Sequence, residues 1–205
     1  PSISLQRSGR TGLPLEQEAG MYGLINNAIR QLTIERCGPQ TWSDIAGDLG
    51  LEDRFISMNH YPDALSAQLV SRLSEAMDVS PDVVLQQLGI YWVSKASKEY
   101  SDLFSQLGPS LTTALQNLDS LHSRVALSFP DLSPPSFDCT DISSDGLTLH
   151  YYSTRHGLTS FVRGLLQGMS EAFGSPVAIA TLQSRSDGSD HDVFRITYLS
   201  SDHLR

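Results

Sequence analysis

The 205 residues, 22.5 kDa, are enough for one domain with a real hydrophobic core. A formal net charge of −9, from 23 acidic and 14 basic side chains, speaks against a nucleic-acid partner, which would select a positive field. No apolar run reaches the roughly 20 residues that cross a bilayer. Two cysteines without a CxxC spacing make neither a disulfide framework nor a thiolate zinc site, so a reducing, cytoplasmic setting is expected.

Residues 1–20 are polar, rich in Gly and Ser, and without periodicity, which reads as a flexible tail or a cloning remnant. After Met21-Tyr22-Gly23 a helical face follows through Leu24, Ala28, Leu32 and Cys37, widened by Ile25 and Ile29 and ended by Gly38-Pro39. Thr41 suits the N-cap of a short helix carrying Trp42, Ile45 and Ala46 and stopping near Gly50. A looser segment, 51–62, leads to a helix over 63–77 with Leu65, Leu69, Leu73 and Met77 at four-residue steps. Ser80-Pro81 is a cap followed by a first-turn proline, and Val84, Leu85, Leu88, Trp92 and Ala96 form the stripe of the helix behind it.

Ser110 suits the cap of the next helix, which runs to about residue 128. Leu111, Leu115, Leu118, His122 and Val125 fall at steps of four, three, four and three, one line on one face. His122 therefore sits inside an apolar stripe. Phe129-Pro130 ends the helix, and Ser133-Pro134-Pro135 makes a stiff extended turn. The period then changes to two: 137–142 and 147–152 read as strands joined through an Asp145-Gly146 hairpin. A helix over 158–173 and a second strand pair, 177–183 and 193–199, complete an α+β chain with a small four-stranded antiparallel sheet.

Two features carry chemistry. Alternation along an extended strand puts Tyr151, Ser153 and Arg155 on one face about 6–7 Å apart, where a guanidinium and two hydroxyls can converge on carboxylates. An imidazole among apolar neighbours offers one neutral ligand to a metal. Iron at the centre and two carboxylates at the rim make haem a group that would use both. Each feature alone also has a plain reading, a core histidine and the polar face of a half-exposed strand.

With Met21-Tyr22-Gly23, the run from Leu118 to His122, Phe129-Pro130 with Pro134-Pro135, and Tyr151-x-Ser153-x-Arg155, the chain resembles the haem–nitric oxide/oxygen-binding (H-NOX) domain over residues 21–200. Residues 201–205 then form its end or the start of a linker. The resemblance implies haem b between a helical half and the sheet, with His122 as iron ligand and Tyr151, Ser153 and Arg155 holding the propionates. It implies Pro135 pressing on the macrocycle, and Ile29, Trp92 and Phe161 on the opposite, distal wall. Oxygen-binding relatives carry a distal tyrosine where this chain has Phe161, which implies a ferrous haem that takes nitric oxide and carbon monoxide and excludes oxygen. It further implies signalling through a change in the iron–His122 bond to a fused or separate guanylate cyclase, diguanylate cyclase or histidine kinase. The chain itself is expected to be a sensor and not an enzyme. Two other readings stay open: a cofactor-free interaction module, and a His-dependent metalloenzyme using His122, His150 or His156, although no nucleophile elbow, HExxH or phosphate-cradling loop is present.

Overall fold

The computed structural model describes residues 20–128 and 133–199, so the 1–19 part of the tail, Phe129-Pro130 and residues 201–205 lie outside the described residues. The helical half contains α1 (Gly23–Cys37), α2 (Pro39–Asp48), α3 (Asp63–Met77), α4 (Pro81–Glu99), the short α5 (Ser101–Ser105) and α6 (Leu111–Ser128). Strands β3 (Ser136–Ser143) and β4 (Gly146–Tyr152), helix α7 (Thr159–Ala172), and strands β5 (Val177–Gln183) and β6 (Asp192–Tyr198) follow. The fold is α+β, and the four strands make an antiparallel sheet in the order β3-β4-β6-β5.

Most element boundaries follow their local chemistry. The Ser80 hydroxyl accepts the Val83 N–H at 3.4 Å and Pro81 occupies the first turn, as the cap rule requires. At Ser110 the bonds are reciprocal: its hydroxyl accepts the Thr113 N–H at 3.3 Å, and the Thr113 hydroxyl accepts the Ser110 N–H at 3.1 Å. Helix α2 departs from expectation, starting at Pro39 after Gly38 (φ 91°); the Thr41 hydroxyl instead donates back to the Cys37 carbonyl at 2.9 Å. A further two-stranded ladder, β1 (Gly20–Tyr22) against β2 (His60–Pro62), lies in stretches the sequence left without strand assignment. Three-residue strands are too short to show a period.

The core has two parts. Ala28, Ile29, Leu32, Trp42, Leu69, Leu73, Val84 and Leu88 fill the space among α1–α4. Leu147, Leu149 and Tyr151 of β4, with Phe194 and Ile196 of β6, form the inner face of the sheet and pack against α6 and α7. Burying each of these larger side chains contributes about 1.5–3 kcal/mol. Helices α4 and α7 join the halves, and their backbones approach so closely that a Cβ on Gly164 would collide with the Gln86 carbonyl. Glycine is required there by contact, and that contact fixes where α7 presents Phe161.

Candidate functional site

His122 lies on α6, beyond the point where the buried stripe Leu111-Ala114-Leu115 gives way to half-buried positions. Its Nδ1 is 2.8 Å from the Leu118 carbonyl. A carbonyl only accepts, so Nδ1 carries the proton and the Nε2 lone pair is left for another partner. Burial holds the imidazole pKa below its ordinary value, with the Leu118 bond and Asp119 opposing that shift, so the neutral ring is favoured. The ring is 5.2 Å from that of Phe137, which is 5.5 Å from that of Tyr151. Pro135, half-buried, stands in the irregular stretch entering β3. Asp119, one turn before His122, locks helix to strand by accepting the Ser136 hydroxyl at 2.8 Å and the Phe137 N–H at 3.1 Å.

The Tyr151-Ser153-Arg155 set is less regular than alternation along one strand. Strand β4 ends at Tyr152, and a bend at Thr154 follows, with the Arg155 N–H bonded to the Ser153 hydroxyl at 3.1 Å. Ser153 competed with the ladder for a backbone donor, as serine does at strand ends. Tyr151 faces the core, and burial raises its pKa against a hydrogen bond from Ser153 and the nearby Arg155 charge. Arg155 Nε pairs with Asp63 Oδ2 at 3.4 Å, across to the first residue of α3.

Arg155 and Asp63 sit at the rim of a cavity of about 500 Å³ whose other walls include Ile25, Ile29, Leu85, Leu88 and Phe161. That is within the roughly 300–1,000 Å³ of small-molecule pockets, with apolar walls and few polar groups. The structure thus brings Ile29, Phe161 and Arg155 together. His122 stands apart, on the Phe137–Tyr151 side, and Trp92 lines a separate cleft with Asn27, Arg30, Tyr91 and Lys95. His150 points from the opposite face of β4, bonded to His191 at 2.9 Å and to the Thr140 hydroxyl at 3.0 Å. His156 lies at the cavity rim beside Arg185. Asp63, Arg185 and Asp192 escaped the sequence reading; a lone carboxylate at a helix start carries no signal of a partner 92 positions away.

The family model for haem–NO-binding proteins matches residues 22–181. The chain belongs to the haem–NO-binding family. It is 31% identical to the soluble guanylate cyclase gcy-31 of Caenorhabditis elegans over 189 residues, covering 90% of this chain and 27% of that protein. It is 30% identical to the rat soluble guanylate cyclase subunit beta-2 over 131 residues, 60% of this chain and 19% of that one. The chain therefore spans about a quarter or less of these relatives. Among solved structures, a triple-substitution variant of an H-NOX protein from S. oneidensis in the Fe(II) state superposes with a TM-score of 0.81 at 19% identity, over 90% of this chain and all of that one. A K. algicida H-NOX variant gives 0.78 at 24% identity, over 90% of this chain and 100% of that one. The fold is thus the H-NOX fold.

The residues present fit a haem. A neutral imidazole with an uncommitted Nε2, a phenol, hydroxyl and guanidinium of the kind that can hold carboxylates, and an apolar cavity beside Arg155 supply the donor types such a group needs.

Proposed function

We propose that the domain is a haem-based gas sensor that takes nitric oxide and carbon monoxide, excludes oxygen, and carries no catalytic step of its own. The observation that carries this reading is the 2.8 Å contact of His122 Nδ1 with the Leu118 carbonyl: with Nδ1 so committed, the Nε2 lone pair remains, the state in which histidine ligates a metal. When bound, haem b would supply a ferrous centre able to take a diatomic ligand. His122 would hold that centre from α6, while Tyr151, Ser153 and Arg155 hold the carboxylates. Pro135 would press on the ring, and Ile29 and Phe161 would form the distal wall, with Trp92 set apart in its own cleft.

Phe161 supports selection against oxygen. Retention of oxygen would call for a hydrogen-bond donor at this wall, which a phenyl ring lacks, whereas nitric oxide and carbon monoxide would need one far less. Solved relatives of this fold include S. oneidensis H-NOX in its Fe(II)NO and Fe(II)CO states, which supports these two gases as ligands. Helix α6 is the element suited to carry a signal, because it bears His122 and is tied to the strand behind it through Asp119. The reader of that signal would be a cyclase or histidine kinase, fused or separate, as the guanylate cyclases among the relatives suggest.

Optical spectra of the reduced protein under nitric oxide, carbon monoxide and air test this reading. It predicts a Soret band that shifts with the first two gases and gives no stable oxygenated spectrum in air. A colourless protein would favour the interaction module instead.

A further inference from the structure

The segment between β4 and α7 carries Ser153 and Arg155, yet it belongs to no strand or helix. Its backbone acceptors are met from an unexpected direction. Arg185, in the single 3-10 turn Arg185–Asp187 between β5 and β6, donates through Nη1 to the carbonyls of both Ser153 and Arg155, the latter at 3.2 Å. Its Nη2 donates to His156 Nε2 at 3.4 Å. A guanidinium engaged with main-chain carbonyls and an imidazole fixes the course of a chain, because its planar fork sets their relative positions.

Arg185 is itself held. Its backbone N–H donates to Asp192 Oδ1 at 2.7 Å, and the Thr159 hydroxyl at the start of α7 donates to Asp192 Oδ2 at 3.0 Å. Asp192 is 3% exposed and pairs with Tyr151 across the β4–β6 ladder. One buried carboxylate therefore joins the strand bearing Tyr151, the turn bearing Arg185, and the helix bearing Phe161.

We propose that Arg185, anchored by Asp192, is a positioning residue for the Tyr151-Ser153-Arg155 set, bracing the bend so that these side chains meet carboxylates in a fixed arrangement. The proposal rests on the haem reading given above. It assigns Arg185 no contact with the ligand: Arg185 acts through the backbone of Ser153 and Arg155.

The test compares release of iron protoporphyrin IX and of its dimethyl ester, which lacks free carboxylates, to a scavenging apoglobin. Arg185→Leu is expected to release the free-acid haem about tenfold faster, roughly the weight of one charge-assisted hydrogen bond lost when the bend loosens. Release of the ester is expected to stay at the parent rate. Arg185→Lys, which keeps a cation with several donors, should restore most of the retention, and Arg185→Gln should not; this pair carries the comparison if the leucine variant folds poorly. Equal acceleration for both porphyrins, or no acceleration, would overturn the brace while leaving the haem reading intact. A parent protein that retains neither porphyrin would overturn both.

Discussion

Phe137 gives its backbone N–H to the carboxylate of Asp119 at 3.1 Å, and its ring lies 5.2 Å from that of His122, one turn further along the same helix. One strand residue thus contacts both the candidate ligand's ring and the carboxylate one turn before it. The bonds from Phe137 and Ser136 hold the Asp119 carboxyl below its ordinary pKa, the Ser136 contribution being the larger. A depressed folded-state value means the stabilisation is present above the unfolded value and is lost as pH falls through the folded one. Urea-unfolding midpoints measured from neutral pH to below about pH 4 should therefore fall more steeply for the parent than for Asp119→Ala. The difference should be small, because the carboxylate lies near the surface.

Phe161→Tyr places a hydroxyl at the cavity wall. One donor to a charged acceptor contributes about 1.5–3 kcal/mol, or roughly ten- to hundredfold in affinity. Oxygen affinity of the reduced variant should rise by that order, while carbon monoxide affinity changes much less. Equilibrium titration with both gases measures the two shifts.

Gly164→Ala forces a methyl group onto the Gln86 carbonyl where α7 crosses α4. Backbone cannot yield as a flexible side chain can, so the helices must separate. Overpacking of this kind costs about 1–3 kcal/mol, and a fall of roughly 3–10 °C in Tm is expected. Gly47→Ala, on an exposed helix position with open space around it, is the control and should leave Tm near the parent value or above it.

Cys139 faces the inner side of β3 beside Leu149, and burial, with Asp138 adding to it, pushes its thiol up to about 11. Alkylation needs the thiolate. At about pH 8 the native protein should modify Cys139 slowly, and denaturation should remove the protection. Peptide mapping after a timed iodoacetamide pulse checks this.

Much of the fold was legible because its signals are local. The 63–77 helix, the Ser80-Pro81 start and the 177–183 strand each lie within one periodic stretch, and the structure has them at those bounds. The expectation of a four-stranded antiparallel sheet also held. What was not legible depends on distant partners. Asp63 meets Arg155, and Arg185 meets Ser153, through folding alone. The bend at Thr154 was hidden for a related reason: Tyr151, Ser153 and Arg155 alternate in sequence, and alternation cannot tell a strand that continues from one whose ladder ends at Tyr152. The grouping of Ile29 and Phe161 at one cavity, with Trp92 at another, likewise depends on how α1, α4 and α7 cross.

The most direct measurement is the visible spectrum of the reduced protein compared with that of His122→Ala. The account predicts a Soret band in the parent, its loss or a large shift in the variant, and recovery when imidazole is added to His122→Gly. A band that persists unchanged in His122→Ala would contradict it.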